Sequence, residues 1–423
     1  MNRKTFLKYL ATSSTAMVLG HRTTRAGASA TTIPPTDLSK LDTGSWTAIR
    51  ELYPLTRKRI YFNTGGLGPT SKPVLEAMQR QALRQATDGE HHHSLLQRVR
   101  ETTAGIFGAN PDEIAFVRNA TEGNSVIACG LDLKAGDEVI FESHAHPGGS
   151  FPWLARQKEL GIKVRIFEPD PHNPDENLRR IISLISNRTR VIQVSHITAP
   201  TGILFDVAAI ARACRERGIW FHIDGAQSAG MIPFSLTAIG CDSYATSGHK
   251  WLNGPQESGF LYIAKARLEE VACSHAGAYS SGHYVLPDNF TYAPYVHRHE
   301  YGTRDAASIL GLETALLLQQ RIGPDRIAGH GKKLVAQARS ILGKFQGVEI
   351  LTPEHPSMHN SILSFRIAGN DSGELYRRLL EEHHLRCRNV TERDINAIRI
   401  SWHVYNSEAD LEPLEKAVRS LAT

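Results

Sequence analysis

The sequence predicts an α/β fold in which a large, doubly wound and mostly parallel sheet is followed by a smaller α+β C-terminal domain. From about residue 60, short apolar stretches alternate with stretches whose apolar residues recur at helical spacing, a pattern typical of strands joined by helices. Residues 190–196 are almost continuously apolar, as expected for a parallel strand that is buried on both faces. At 423 residues the chain also exceeds what one hydrophobic core usually supports, so we expect two domains.

The N-terminal segment, residues 1–30, predicts an export signal. Residues 2–8 include several basic side chains and precede a modest apolar stretch that ends at Gly20, after which small residues follow. The segment resembles a twin-arginine (Tat-like) signal with Lys4 where the second arginine normally stands. We therefore expect periplasmic export, with a cytoplasmic location as the alternative. Residues 31–60 predict a linker or N-terminal arm.

The predicted large domain, residues 61–305, contains strands that end in polar clusters. Strands are predicted at residues 114–117, 138–141, 164–167, 190–196 and 219–223. Polar clusters lie at residues 119–121, 144–146, 195–198, 224–227 and 247–250. Because ligands bind beyond the carboxyl ends of the strands in such sheets, we expect these clusters to form one site.

The C-terminal segment, residues 306–423, has a different pattern. Long helices are predicted at residues 309–321 and 331–345, and strands at residues 361–367 and 398–402. This order predicts the smaller α+β domain, packed against the first.

Composition excludes several classes of function. The formal net charge of +5 is small for this length and the basic residues are scattered, so we expect neither nucleic-acid binding nor a membrane-surface role. No segment after residue 30 is long and apolar enough to predict a membrane span. The five cysteines lack paired spacing, and the histidine runs at residues 91–93 and 383–384 would diverge on a helix, so we predict no metal site.

An aspartate and a lysine at the ends of neighbouring strands predict the chemistry of pyridoxal 5'-phosphate (PLP). Asp224 ends an apolar run, and Lys250 follows the next predicted strand in the sequence SGHK. A lysine can form a Schiff base with the cofactor aldehyde, while a carboxylate keeps the pyridine nitrogen protonated so that the ring accepts electrons. The cofactor phosphate is expected where the strand at residues 114–117 turns into a helix, because free amides of Ala120, Thr121 and Glu122 would favour an anion there.

The motifs carry a family resemblance. Residues 247–255 (SGHKWLNGP), with DGAQ at 224–227 and IRIS at 398–401, resemble the class V aminotransferase family of fold type I PLP-dependent enzymes. YFNTGGLGP at 61–69 and SWHVYN at 401–406 are most similar to the isopenicillin N epimerase-like branch. The resemblance extends from about residue 50 to the carboxyl terminus and implies the fold type I PLP-dependent transferase fold.

The resemblance implies a role for each candidate residue. It makes Lys250 the Schiff-base lysine, Asp224 the partner of the pyridine nitrogen, and Gln227 the partner of the phenolic oxygen. It adds Ser247 and His249 as phosphate ligands. His146 would be a ring-stacking imidazole that could act as a second base, and Asn63 and Arg399 would bind the amino-acid substrate. Thr303 matches a residue that reaches the phosphate from the neighbouring subunit, which implies a homodimer with shared active sites. Glu122 must point its charge away from the phosphate.

Several reactions remain open at this point. Epimerase-like chemistry at the α-carbon fits the most similar branch, with Lys250 and His146 serving the two faces. A cysteine-conjugate C–S β-lyase needs only the lysine, and nothing in the sequence rules out an aminotransferase. A cysteine desulfurase is disfavoured, because Cys387 lies in a predicted strand rather than a loop and Ala199 stands where desulfurases commonly have asparagine. The alternative outside enzymology is an amino-acid-binding protein that retains the PLP fold.

Overall fold

A computed structural model describes residues 37–422, so the predicted export signal at residues 1–30 lies outside the described residues. The strands are β1 (Ile60–Tyr61), β2 (Ile114–Phe116), β3 (Glu138–Glu142), β4 (Lys163–Phe167), β5 (Thr189–Ser195), β6 (Trp220–Asp224), β7 (Ser243–Ser247), β8 (Gly259–Ile263), β9 (Ser281–Val285), β10 (Asn289–Tyr292), β11 (Val348–Ile350), β12 (Ile362–Ile367), β13 (Leu385–Arg386), β14 (Arg388–Val390) and β15 (Ala397–Ser401). The helices are α1 (Trp46–Glu51), α2 (Lys72–Asp88), α3 (His93–Phe107), α4 (Ala120–Gly130), α5 (Pro147–Leu160), α6 (Pro174–Leu184), α7 (Val207–Arg215), α8 (Leu236–Ile239), α9 (Ala306–Ile322), α10 (Pro324–Leu342), α11 (Ser372–Glu381) and α12 (Leu411–Leu421).

The large sheet has seven strands in the order β2-β8-β7-β6-β5-β3-β4. Strands β3 to β7 pair in parallel, whereas β8 is antiparallel to both of its neighbours. The predicted mostly parallel sheet is therefore confirmed.

Helices cover both faces of this sheet, which is why its strands are apolar throughout. Along β5, Val191 points into the core beneath α4 and α5, and Ile192 points into the core beneath α3, α7 and α9. This arrangement confirms the doubly wound architecture.

The register of the strands brings their polar ends together. Ser195 at the end of β5 pairs with Asp224 at the end of β6, and Asp224 pairs with Ala245 of β7. The polar residues that follow these strands consequently share one edge of the sheet.

A second sheet of four antiparallel strands, in the order β11-β12-β15-β14, lies in the C-terminal part of the chain. Helices α10, α11 and α12 bury Leu334, Leu375 and Leu414 in a separate apolar core with this sheet. Helix α9 instead buries Ile309 and Leu312 in the core of the large sheet. The domain boundary between residues 305 and 306 stays a prediction.

None of the helices between residues 37 and 422 combines the length and the apolarity that crossing a bilayer requires.

Candidate active site

A cavity of about 330 Å³ opens at the carboxyl ends of the parallel strands, beside the start of α4. This volume is within the range of small-molecule and cofactor sites. Most of the residues predicted from the sequence line it, namely Ala120, Thr121, His146, Asp224, Gln227, Ser247, His249 and Lys250.

Lys250 lies three residues after the end of β7 and lines this cavity. Its side chain is partly exposed to the cavity, while the surrounding protein removes it from bulk water. Burial is the main cause that lowers the pKa of the amine from 10.5 to about 8. The charges of Arg399 and Arg388 contribute to this lowering, and the charge of Asp224 opposes it. A lowered pKa makes the neutral, nucleophilic amine accessible near neutral pH.

The Lys250 backbone is in contact with a glycine loop from the N-terminal part of the chain. A Cβ atom added to Gly68 would lie 1.8 Å from the carbonyl oxygen of Lys250. The Gly68 amide also donates a hydrogen bond to the carbonyl oxygen of His249 at 2.6 Å. This close approach requires glycine and fixes the segment that carries the lysine.

Asp224 lies at the end of β6 and is buried. Its Oδ1 accepts a hydrogen bond from the Ala226 amide at 3.0 Å, and its Oδ2 accepts one from Asn124 Nδ2 at 3.0 Å. Each carboxylate oxygen therefore has a donor within the protein, which fixes the orientation of the side chain. This charged carboxylate on the cavity wall suits a protonated ring nitrogen.

The N-terminus of α4 forms the end of the cavity where an anion was predicted. Asn119 caps this helix by accepting a hydrogen bond from the Glu122 amide at 3.0 Å, and the Ala120 amide donates to Ser247 Oγ at 2.9 Å. Two of the three amides that were expected to be free therefore have side-chain partners. Because Thr121 and Ser247 line the cavity and the helix dipole points at it, this end still suits a phosphate.

His249 adds a ring nitrogen without a partner to the same wall. Its Nδ1 is buried and has no hydrogen-bond partner. Burial and the nearby charge of Lys250 lower the pKa of this imidazole to about 4, so it is neutral at physiological pH. An orphaned ring nitrogen beside Ser247 fits a ligand with hydrogen-bonding oxygens, as a phosphate group has.

Gln227 is held in one orientation. Its Oε1 accepts a hydrogen bond from Trp251 Nε1 at 2.7 Å, and its Nε2 donates to the Gly65 carbonyl at 2.9 Å. An indole nitrogen can only donate, so the amide oxygen must face Trp251. The second hydrogen of Nε2 is then available to an acceptor in the cavity.

His146 caps the N-terminus of α5, where its Nδ1 accepts a hydrogen bond from the Gly148 amide at 3.0 Å. The neutral ring therefore carries its hydrogen on Nε2. Burial, together with the positive charge of Lys250, lowers the pKa of His146.

The two predicted substrate residues contact each other behind the cavity wall. Arg399 Nη2 donates to Asn63 Oδ1 at 3.1 Å, and Nη1 donates to the Ala199 carbonyl at 2.9 Å. The guanidinium is fully buried, and a Cβ atom added to the cavity-lining Gly65 would lie 2.8 Å from its Nη2. Arg399 therefore lies directly behind Gly65. Its Nε is buried and has no hydrogen-bond partner.

Arg388 lines the cavity, although the sequence did not single it out. It begins β14 and pairs with Glu392, whose Oε2 is buried without a hydrogen-bond partner. A carboxylate that enters the cavity would meet this guanidinium first and could replace Glu392 as its partner.

Two predicted cofactor residues lie off the cavity wall. Glu122 directs its carboxylate to the Arg118 amide and side chain, and Arg304 lies 3.9 Å away, so its charge points away from the phosphate end as required. Thr303 is exposed, in the segment before α9. Thr303 is therefore not part of this cavity wall.

Comparison with known proteins places the chain in a family. The family model described as Aminotransferase class-V matches residues 60–414. The isopenicillin N epimerase of Streptomyces clavuligerus is 29% identical over 86% of this chain and 94% of its own length. A probable cysteine desulfurase of Methanothermobacter thermautotrophicus is 29% identical over 88% of this chain and 97% of its own length.

Solved structures share the fold. A C-DES variant with glycine covalently linked to its PLP cofactor superimposes with a TM-score of 0.80 at 26% identity, over 87% of this chain and 98% of the other. The cystine C–S lyase C-DES in complex with its product, cysteine persulfide, gives a TM-score of 0.79 at 26% identity, over 85% and 97%. These matches confirm the predicted family, fold and cofactor. The chain therefore belongs to the aminotransferase class-V family of PLP-dependent enzymes.

Proposed function

We propose that this enzyme inverts the configuration of an amino acid at its α-carbon, as an epimerase does. The observation that carries the proposal is that two proton-exchanging groups, the Lys250 amine and the His146 imidazole, line the same cavity. Bound PLP supplies an electron sink that acidifies the hydrogen on the α-carbon. The 29% identity to an isopenicillin N epimerase supports the same reaction class.

The protonation states of the two groups are complementary. With a pKa of about 8, Lys250 has a neutral fraction near neutral pH that can take a proton at Nζ. Burial lowers the pKa of the His146 imidazole, and the hydrogen of the neutral ring is on Nε2. When this hydrogen passes to the α-carbon, the proton that Lys250 has taken returns to the ring through solvent, so that both groups are restored. An epimerase needs this pair of one acceptor and one donor.

Arg388 is proposed as the first ligand of the substrate carboxylate. It lines the cavity, whereas Arg399 lies behind Gly65 with two of its nitrogens occupied. A planar guanidinium can bind a carboxylate with two parallel hydrogen bonds, and Glu392 already presents a carboxylate to it.

Desulfuration through a protein persulfide has little support. All five cysteines lie within the described residues, and none of them lines the cavity. Cys387, between β13 and β14, is fully buried in the core of the C-terminal sheet, and this burial raises the pKa of its thiol to about 12. A buried neutral thiol is a poor nucleophile.

A C–S β-lyase is the second candidate. The structural similarity to a cystine C–S lyase favours it, and the reaction needs Lys250 but no protein thiol. The two candidates differ in whether His146 must donate a proton.

We also propose a homodimer in which Thr303 contributes to the partner's cavity. The hairpin of β9 and β10 exposes apolar side chains, including Tyr284, Phe290 and Leu286, which is 82% exposed. An exposed apolar surface of this kind is typical of a protein interface. Sedimentation analysis should give a dimer for the wild type and a monomer for Leu286→Asp; a wild-type monomer with full activity would contradict the proposal.

The deciding experiment measures exchange and inversion separately. Purified holoenzyme is incubated in D₂O with L- and D-amino acids and with cysteine conjugates, and α-deuteration, configuration and pyruvate release are followed. The variant His146→Phe keeps an aromatic face but has no proton to donate, so deuteration should persist while inversion is lost. His144→Phe is the matched control, because His144 lies outside the cavity wall and contacts Thr201 and Glu168.

Each outcome assigns the reaction. Unchanged inversion in His146→Phe would overturn the epimerase proposal, and pyruvate release without inversion would select the lyase. Lys250→Ala should lose every reaction together with the visible absorption band of the attached cofactor. A wild-type protein that stays colourless after PLP is added would contradict the proposed function altogether.

A further inference from the structure

The buried carboxylate of Asp224 is the last member of a chain of hydrogen bonds that lies behind the cavity. Asn124 Nδ2 lies 3.0 Å from Asp224 Oδ2, and Asn124 Oδ1 lies 2.9 Å from His222 Nε2. His222 Nδ1 lies 2.8 Å from Ser243 Oγ, which in turn accepts from Trp220 Nε1 at 2.9 Å. All of these side chains are buried, so water does not compete for their hydrogen bonds.

The orientation of Asn124 follows from its surroundings. Its amide nitrogen lies between two groups that can only accept, Asp224 Oδ2 and the Gly148 carbonyl at 3.1 Å. The NH₂ group must therefore be on this side, and Oδ1 must face His222. An oxygen at this position requires a hydrogen on His222 Nε2.

The hydrogen bonds at the Trp220 end independently give the same donor-to-acceptor direction. Trp220 Nε1 can only donate, so Ser243 Oγ accepts from it and gives its own hydrogen to His222 Nδ1. A neutral His222 with its hydrogen on Nε2 satisfies both neighbours. Burial lowers the pKa of this imidazole to about 4, which keeps it neutral at physiological pH.

We propose that Asn124 and His222 are positioning residues that hold the Asp224 carboxylate aimed at the pyridine nitrogen of the cofactor. Every hydrogen bond in the chain points toward the carboxylate, so the chain fixes the orientation of its last donor, Asn124 Nδ2, and of the carboxylate itself. The inference rests on the proposed function only in requiring that PLP binds with its ring nitrogen at Asp224.

Other ionisable groups also act on Asp224. Lys250 faces it from the segment after β7, His146 from the start of α5, Glu142 from the end of β3 and Tyr244 from β7. His222 lies on β6, as Asp224 does, and its hydrogen bonds reach Asp224 only through Asn124. Variants of Asn124 and His222 leave the four other groups in place.

Two glycines allow the helices to approach closely enough to build the chain. A Cβ atom on Gly149 would lie 2.9 Å from Asp224 Oδ2, and one on Gly123 would lie 2.7 Å from the Cβ atom of Ala245. Helix α4 therefore packs tightly on β7, which places Asn124 within reach of Asp224.

The test is ¹⁵N NMR of the holoenzyme loaded with PLP labelled at the pyridine nitrogen, recorded over a pH series without substrate. Asn124→Ala should weaken proton binding at the ring nitrogen by about tenfold, because it removes one hydrogen bond to a charged group. His222→Leu removes the hydrogen bond that orients Asn124 and should weaken proton binding in the same direction. His222→Gln, whose amide can still donate to Asn124, should restore most of it. Trp153→Phe is the matched control, because Trp153 Nε1 donates to buried Gln193 at 2.7 Å outside this chain.

The outcomes separate the two proposals. A wild-type protein that binds no PLP, or binds it with an unprotonated ring nitrogen, overturns the proposed function and this inference together. A protonated wild type with unchanged nitrogen signals in the Asn124 and His222 variants overturns this inference alone. If Asn124→Ala does not fold, Trp220→Phe replaces it as the test, because this variant removes only the first donor of the chain. Equal effects of Trp220→Phe and Trp153→Phe on proton binding at the ring nitrogen would contradict the directed chain.

Discussion

The low pKa of Lys250 predicts how fast the protein without cofactor captures PLP. Only the neutral amine attacks an aldehyde, and a pKa of about 8 leaves about a tenth of the amine neutral at about pH 7. An ordinary lysine with a pKa of 10.5 would be about 0.03% neutral at that pH. The protein environment therefore increases the reactive fraction about 300-fold.

The assay compares the rate of PLP capture by the apoenzyme with the rate for a small lysine derivative, from about pH 6 to about pH 10. Because PLP titrates in the same way in both reactions, its own titration cancels in the ratio of the two rates. The rate for the enzyme should level off above about pH 8, while that for the free amine continues to rise about tenfold for each pH step. Parallel profiles up to about pH 10 would refute the reasoning.

The variant Arg388→Met gives the sign of the electrostatic contribution. The guanidinium disfavours the ammonium form of Lys250, so its removal should raise the pKa and move the levelling point to higher pH. A shift to lower pH would mean that Arg388 does not act on Lys250 through its charge.

Three further predictions concern stability and packing. Arg100→Met leaves Glu300 buried without the partner that binds it at 3.0 Å and should lower the free energy of unfolding by about 3–5 kcal/mol, measured by urea denaturation; an unchanged midpoint would contradict this. Gly68→Ala places a Cβ atom 1.8 Å from the backbone of the cofactor-binding lysine and should abolish PLP binding, whereas Gly329→Ala, with no atom within 4 Å, should not. Burial raises the pKa of Glu142 from 4.5 to about 7, so stability should fall as the pH rises through this range, and Glu142→Gln should remove that slope in thermal melts.

The sequence predicted the large sheet and those residues of the site that lie at the ends of its strands. Apolar runs mark β3 to β6 because both faces of these strands are buried, and the residues after such runs must lie at the edge of the sheet. Asp224 and Lys250 were found for this reason, since Asp224 ends β6 and Lys250 lies three residues after the end of β7.

The residues that were missed depend on contacts between distant segments. Asn124 lies inside α4 and has the pattern of an ordinary helical polar residue, although it reaches Asp224 across 100 positions of sequence. Arg388 belongs to the other sheet, and only tertiary packing brings it to the cavity. In the same way, no local sequence pattern shows that the Ala120 amide donates a hydrogen bond to Ser247 or that Gly65 lies against the Arg399 side chain.

The glycine loop that carries Gly65 has a consequence for the order of folding. It is joined to Gln227 across 162 positions, and the neighbouring Asn63 is joined to Arg399 across 336 positions. Contacts so remote in sequence form late, because the loop-closure entropy must be overcome first. The cavity wall therefore closes only after Arg399 has left the ribosome, and we expect PLP to bind stably only once both sheets have formed.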